Sequence, residues 1–453
     1  MLEPAFLALC QALSLLMSAT FAAYILTILV PFMRAKPRGH GDASLYEWHL
    51  LVPCRDEEAV IGATITYLTE TFPSAHLWII DDASEDTTHD IAARFALRND
   101  HVHIVSRRLP FAREGKGAAL NAAYDEVHAF LGYRLDFSKV IVGVIDADGR
   151  PDPLCLDVVS AQRMFGNPAM GGVQIEVRMT NCDETPPVPG RLRQWLGRLL
   201  VRMQDIEFRT VIAAVQHSRR YTNTVGLGGN GQFTRLTALD QLNLKYGRPW
   251  HGSLLEDFEL GVHLLLLGWR NAHTADTYVE QEGLYSFSRF IVQRTRWGQG
   301  VMQCIKYLPQ LWMSRKVSNA GALETAYYLL QPWLTLAGTI VYSVPVLAFL
   351  GIAATTPNFL NQVVGTWLGV LLLVYAVCGL GIFAVWGVVY CVKVTPERNL
   401  AVGFGWGLAY VVYVYCFYIS TWRAFVRVLL RRNGWSKTRR NDEALSSVVA
   451  LDR

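Results

Sequence analysis

Both ends of this chain are too apolar for a water-soluble protein, and no other feature limits its possible folds as strongly. Residues 4–32 form one apolar run broken only by small or hydroxyl residues and Gln11, and Arg34, Lys36 and Arg38 follow it. Further runs lie at about 323–353, 364–392 and 400–422. About 20 apolar residues in a helix span a hydrocarbon core of about 30 Å, so each run has the length of a crossing. A cleaved signal peptide is the alternative for the first run. Glu3 replaces the usual basic start, however, and the run is longer than a signal sequence needs. The expectation is an N-terminal transmembrane anchor over residues 1–33.

Between the ends lies a polar block, about 45–285. By the positive-inside rule the cations after the first run place this block in the cytosol. Three full crossings after it would leave the tail outside, yet Arg423, Arg427, Arg431, Arg432, Lys437, Arg439 and Arg440 favour the inside. One run is therefore expected not to cross simply. The one at 323–353, which holds Pro332 and Pro345, is the candidate for an interfacial or re-entrant piece. The expected organisation is a cytosolic domain over 45–285, amphipathic interfacial helices over 286–320, transmembrane helices over 321–425 and a basic cytosolic tail over 426–453. Such an organisation is expected of an integral, multi-pass protein of the cell membrane with its polar domain in the cytosol. A net charge of +4 is too small to point to nucleic acid. The eight cysteines form no CxxC or Cys/His cluster, which fits a reduced compartment better than a zinc or disulfide framework.

Within the polar block, short β-rich runs alternate with helical patterns. HLLVPC (49–54), HLWIIDD (76–82), VHIVSR (102–107) and KVIVGVIDAD (139–148) read as strands, with helices expected near 57–70, 85–97, 117–130 and 153–165. Strands this rich in Val and Ile are covered on both faces, and the alternation predicts a doubly wound, mainly parallel α/β sheet. Ligands of such sheets bind at the carboxyl ends of strands. Asp81 and Asp82 end the second strand and Asp146 and Asp148 the fourth. Asp82 or Ser84 could equally cap a helix. Two carboxylates one residue apart repel unless a cation sits between them, and Mg²⁺ is usually held by one or two carboxylates plus substrate phosphates; an Asp-Gly turn is the structural alternative.

In REGKGAALN (113–121), Lys116 stands at a helix start suited to an anion. TVGLGGNGQF (224–233) reads as a flexible loop or as main chain that approaches a ligand closely. In LLEDFELGV (254–262), Asp257 is either an N-cap or a general base that a helix N-terminus would keep ionised. SFSRFIVQRTRWGQG (286–300) places Gln293, Arg296 and Trp297 on one helical face, with Phe290, Ile291, Val301, Ile305 and Leu308 spaced to cover another. That pattern predicts a helix in the membrane interface. Its Arg296 could grip a diphosphate and its Trp297 a sugar ring, or both could simply meet lipid headgroups.

Seven of these elements, VPCRDEE (52–58), DDAS (81–84), GKGAALN (115–121), DAD (146–148), GGNGQ (228–232), LED (255–257) and QRTRW (293–297), occur together in an order that resembles the membrane-integrated glycosyltransferases of family 2. That group contains the cellulose, chitin and hyaluronan synthases. The resemblance implies a GT-A-type nucleotide-sugar-binding domain joined to membrane helices. It implies that Pro53, Arg55, Glu57 and Asp82 line the nucleotide pocket with Lys116, Gln293 and Arg296. Asp148, assisted by Asp146, would hold Mg²⁺ or Mn²⁺ on the diphosphate of a UDP-sugar donor. Asp257, beside Glu256, would be the catalytic base, and Gly229, Asn230, Gln232 and Trp297 would face the acceptor. Leu255 replaces the family's usual Thr, Arg55 replaces a common aromatic, and GWSKTRR (434–440) is similar to the tail motif of such synthases. The activity implied is inverting transfer onto a growing β-linked polysaccharide, coupled to secretion, with UDP-glucose or UDP-N-acetylglucosamine as donor. The alternative is single transfer to a lipid, giving a glycolipid.

Overall fold

The computed structural model describes residues 4–37, 39–133, 136–358, 363 and 366–432. A GT-A-like α/β domain occupies the polar block. Its parallel core is built from β1 (Glu47–Cys54), β2 (His76–Asp82), β3 (Val102–Arg107) and β4 (Val140–Val144), with β5 (Arg150–Pro151), β6 (Met170–Met179), β7 (Gln232–Arg235) and β8 (Arg270–Gln281) completing the sheet. The order is β3-β2-β1-β4-β7-β6-β8-β5. Only β7 and β5 run antiparallel to their neighbours. Side chains alternate between two buried faces, as expected for strands without a wet side. Leu50 and Val52 pack with Ile61 and Ile65 of α2 (Ile61–Thr71) on one face; Leu51 and Val142 pack with Leu120 and Ala123 of α4 (Lys116–Leu131) on the other.

The chain order reverses between β1 and β4, so the crevice beyond Cys54 and Val144 is the binding position of such a sheet. The expected fourth strand stops earlier than its composition suggested. Gly149 N–H donates to the Asp146 carbonyl (2.7 Å), turning the chain out of the sheet so that Asp146 and Asp148 sit on a loop rather than a strand end. The expected helix at 153–165 is reduced to α5 (Cys155–Val159), because successive turns at Ala161 and Met164 replace its second half.

Four helices among the described residues have the length and apolarity of membrane spans. The first is α1 (Pro4–Met33). The second, α12 (Asn319–Thr355), runs unbroken for 37 residues through both prolines, about 55 Å at 1.5 Å per residue. The re-entrant piece expected at 323–353 is thus a full-length helix, N-capped by Ser318, whose Oγ accepts from Gly321 N–H. A segment containing α13 (Trp367–Ala376) and α14 (Ile382–Lys393) precedes α15 (Leu400–Leu429). Gly387 on α14 meets Gly403 and Gly407 on α15 backbone to backbone, where any side chain would collide. Small residues spaced by four allow this approach in apolar surroundings, where close packing replaces the hydrophobic drive.

Helix α15 lies unexpectedly with respect to the α/β domain. Near its start Trp406 packs under Arg202 of α6 (Arg191–Ile206), 5.1 Å from guanidinium carbon to ring centre. Midway, Tyr413 contacts Phe290 and Arg294 of α10 (Phe287–Cys304). Just past its end the Arg432 carbonyl accepts from Gln299 of α10 at 2.9 Å. A helix of 30 residues is about 45 Å long, so one that crossed the bilayer would carry one end away from the domain. The contacts of α15 with α6 and α10 instead extend from Trp406 to Arg432. The GWSKTRR tail lies outside the described residues.

Candidate active site

The loops beyond β1, β2 and β4 converge on a cavity of about 690 Å³. On the donor side its wall includes Pro53, Arg55, Glu57, Asp82, Lys116, Asp146 and Asp148, and opposite them Gly229, Asn230, Glu256, Asp257, Gln293, Arg296 and Trp297. The loops are held in costly backbone shapes. Asp56, Ala83 and Arg113 all have left-handed φ of 53–67°, a conformation that non-glycine residues adopt at a cost of about 1–3 kcal/mol and that persists where surrounding contacts fix it. The contacts are visible: Asp82 Oδ1 accepts from the Arg107 guanidinium and from Arg113 N–H, and Asp56 N–H donates to Ser84 Oγ (3.0 Å). Neither Asp82 nor Ser84 caps the following helix, α3 (Thr88–Ala96), which settles that alternative.

Lys116 opens α4 behind Gly115, whose φ of 124° is open to glycine. Its ammonium donates to Asp146 Oδ1 at 2.5 Å and to the Gly229 carbonyl at 2.6 Å, tying the donor loop to the glycine loop. Burial opposes its charge, but Asp146 and then Glu256 outweigh burial, so the lysine is held more firmly protonated than usual. Asp148 Oδ2 accepts from Glu282 N–H (3.2 Å), and Asp146 N–H donates to Asn230 Oδ1. No cluster of three or more metal-binding side chains occurs among the described residues. The donor set still fits a hard divalent ion of the kind that takes most of its ligands from phosphates and water. Asp148 stands in the wall with oxygen donors, and the charge of Asp146 is engaged by Lys116.

Helix α9 (Glu256–Leu267) presents Asp257 in its first turn. Its Oδ1 accepts from Phe258 N–H at 2.7 Å, and its Oδ2 lies 3.3 Å from where a side chain on Gly229 would begin. A side chain there would press on this carboxylate and on Lys116 Nζ, 3.2 Å away. The helix terminus does not keep Asp257 ionised as expected. Burial first, and the neighbouring Glu256 second, push it up to about 7, outweighing the backbone donor at Phe258 and the cation of Lys116. Glu256 is raised as well, again chiefly by burial. A carboxyl poised near neutral pH is matched to general-base work. If Asp257 is that base, kcat/KM falls as pH drops through about 7, since the acid form cannot accept a proton, and a profile flat from pH 5 to 8 would exclude this role.

Trp297 stands edge-on to Phe208 (6.1 Å between centres) and under the guanidinium of Arg294 at 4.1 Å. Arg294 itself donates to Glu207 at 2.6 Å and to the Tyr413 hydroxyl. The face shared by Gln293, Arg296 and Trp297 is therefore the cavity face, while Phe290 and Ile291 are buried against the helices behind. Gln232 departs from expectation. It lies on β7 rather than in a loop, is 1 % exposed, and does not contribute to the cavity wall.

Several wall residues were not anticipated. Gln174 holds the glycine loop from below, accepting from Gly228 N–H and donating to the Asn230 carbonyl, both at 2.8 Å. Glu176, His273, Gln281 and Glu282 join it. The sequence carried one signal for the first two: polar residues alternating inside the apolar strand GVQIEV. Beyond Trp297 the cavity continues among α1, α12, α14 and α15, where Phe21, Ile25, Tyr328, Phe383 and Phe417 line it.

A model described as "Glycosyltransferase like family 2" matches residues 48–300, more than half of the chain. The chain is 30 % identical over 278 residues to a beta-monoglucosyldiacylglycerol synthase of Synechocystis sp., a match covering 59 % of this chain and 51 % of that protein. It is 28 % identical over 160 residues to glucomannan 4-beta-mannosyltransferase 2 of Arabidopsis thaliana, covering 35 % of this chain and 27 % of that one. The match thus spans about half the length of the diacylglycerol synthase and less of the plant enzyme. Among solved structures, the mannosyltransferase PcManGT from Pyrobaculum calidifontis superimposes with a TM-score of 0.48 at 16 % identity, covering 89 % of this chain and 98 % of that one. Family-model coverage of more than half its length identifies the chain as a member of the glycosyltransferase-like family 2.

Proposed function

We propose that the protein is a membrane glycosyltransferase that moves one sugar from a nucleoside-diphosphate donor, UDP-linked in our reading, to a hydroxyl of a lipid acceptor, releasing a glycolipid. The observation that carries this is the continuity of the cavity. It joins the carboxylates of the α/β domain to a lobe among the membrane helices whose wall includes Phe21, Ile25, Ile28, Val211, Val215 and Phe417. The lobe also holds polar groups, among them Gln216, Gln331, Thr335, Ser420 and Thr421, but its apolar stretches suit acyl chains, which need no hydrogen-bond partners. The Synechocystis relative, a beta-monoglucosyldiacylglycerol synthase, supports the same choice. The growing-polysaccharide reading of the sequence thus gives way to its alternative.

In the proposed reaction Asp257 accepts the proton of the acceptor hydroxyl, whose oxygen attacks the anomeric carbon. The bond from that carbon to the diphosphate breaks on the opposite side, inverting the configuration. Lys116 and Arg296 receive the charge that develops on the leaving diphosphate. Mg²⁺ or Mn²⁺ at Asp148 would supply further charge neutralisation when bound. Purified protein incubated with radiolabelled UDP-sugars, diacylglycerol and either metal should give a labelled product with a single sugar per lipid. A product that lengthens with time would reject the reading.

The placement of α15 carries a topological consequence. Its contacts with α6 and α10 support a placement along the membrane surface, which would leave three crossings and return Arg431 and Arg432 to the side of the α/β domain. The expected conflict between crossing number and basic tail then disappears. A reporter fused at the C-terminus should be active only in the compartment that holds the catalytic domain, and a reporter on the opposite side would overturn the arrangement.

A further inference from the structure

The membrane-side lobe contains a buried cation whose hydrogen bonding is incomplete. Arg219 ends α7 (Ala213–Arg219), is 3 % exposed and forms part of the cavity wall. Its Nε donates to both carboxylate oxygens of Glu324 on α12, each at 2.7 Å, and its guanidinium lies 4.6 Å from the centre of the Tyr328 ring. The Tyr24 hydroxyl of α1 donates to the same carboxylate (3.4 Å). Arg219 Nη2 is buried and has no hydrogen-bond partner among the described residues. A buried donor left without an acceptor is costly, and a site that receives a ligand is where such a donor can be satisfied.

Arg219 and Asp257 line the same cavity and border the same glycine loop. Arg219 Nη1 lies 3.2 Å from where a side chain on Gly226 would begin, and Asp257 Oδ2 lies 3.3 Å from the corresponding point on Gly229. A lipid held along that loop therefore passes both groups. The charge balance narrows its chemistry. In this lobe Arg219 is offset by Glu324, Arg294 by Glu207 and Glu176 by Arg178. None of these cations is in excess over its carboxylate partner, so an acceptor phosphate in this lobe would enter low-dielectric space facing Glu207, with Arg219 and Arg294 already paired.

We propose that Arg219 reads the acceptor. Its guanidinium donates to an ester or ether oxygen of an uncharged lipid alcohol whose hydroxyl reaches Asp257, and Glu324, by cancelling the guanidinium charge, excludes lipids that carry phosphate. This rests on the glycolipid reading and adds to it the acceptor's class and the two residues that select it.

The test compares dioctanoylglycerol with dioctanoyl phosphatidate, which differ by one phosphate, binding to the full-length chain in detergent as read by native mass spectrometry. Wild type should favour the glycerol by about tenfold or more. Glu324→Gln should reverse the preference, because it leaves a buried cation unpaired. Arg219→Gln/Glu324→Gln should restore the preference for the neutral lipid, with binding weaker by about five- to tenfold for one lost hydrogen bond. The double variant, without either charge, separates a selective role from failure to fold, which its melting curve reports. Equal binding of both lipids by wild type, or an unchanged ratio in Glu324→Gln, overturns the proposal. Wild-type transfer to a polyprenyl phosphate overturns it while leaving the glycolipid reading standing; polymer formation without any lipid product overturns both.

Discussion

Asp257→Asn should abolish transfer and at the same time stabilise the protein. Asn keeps the shape of the side chain and can still accept from Phe258 N–H, now 2.7 Å from Oδ1. It cannot take a proton, and loss of a positioned general base costs about 10²- to 10⁴-fold in kcat. Nucleotide binding should be little changed, because the donor loops hold their own contacts through Asp82, Arg113 and Lys116. The stability effect has a definite sign. Asp257 is raised to about 7 in the fold, by burial and then by Glu256. The ionised form is thus the one the fold disfavours. Stability from this group is complete below the carboxyl's unfolded value and is lost as pH rises through about 7. The variant has no such loss, so at pH 8 it should be more stable than wild type by about 1–3 kcal/mol, and at pH 4 the difference should vanish. Melting curves at the two pH values check this. Turnover above a tenth of wild type, or a variant less stable at pH 8, would remove Asp257 from the role of base.

The same residue shows where sequence reasoning reached its limit. Its place at a helix start was readable from LLEDFELGV, and the helix dipole argued for an ionised carboxylate. The opposite outcome depends on burial by segments far along the chain and on which neighbours face it, and neither has a local signature. Local signals did well elsewhere. The β-branched runs located β1, β2 and β3 to within two residues because those strands are buried on both faces and need continuous apolar sequence. The spacing of Gln293, Arg296 and Trp297 identified a cavity face because helical geometry fixes which side chains share it. Gln232 was misplaced since GGNGQF reads as loop throughout, whereas its last residues pair with β4 and β6 as strand β7. The Arg219–Glu324 contact joins residues 105 apart in sequence, and pairing across that separation cannot be read from one chain. The position of α15 was hidden for a related reason: its apolar composition meets the requirement for a crossing, whereas its contacts with Arg202, Glu207, Phe290, Arg294 and Gln299 hold it beside α6 and α10.

The two aspartates of DAD should separate on mutation, although the sequence treats them as a pair. Asp146 already has its cation: Lys116 Nζ lies at 2.5 Å and is held there by the Gly229 carbonyl as well. Asp146→Asn therefore weakens the anchoring of Lys116, which keeps the charge of Glu256 nearby. Asp148 has a backbone partner, Glu282 N–H, and stands in the wall on the donor side. If it is the residue that holds a divalent ion against the donor's phosphates, Asp148→Ala removes the charge that offsets that ion. Turnover should fall by about 10²- to 10³-fold, in line with loss of one electrostatic element of a transfer site. The decisive readout is binding rather than rate. Titration of UDP by calorimetry, with and without Mn²⁺, should show tighter binding with the metal for wild type and for Asp146→Asn, and no difference for Asp148→Ala. The inverse pattern would exchange the two roles. Metal-enhanced binding that persists in both variants would place the ion elsewhere, with Glu282, one residue beyond β8 and also in the wall, the next carboxylate to test.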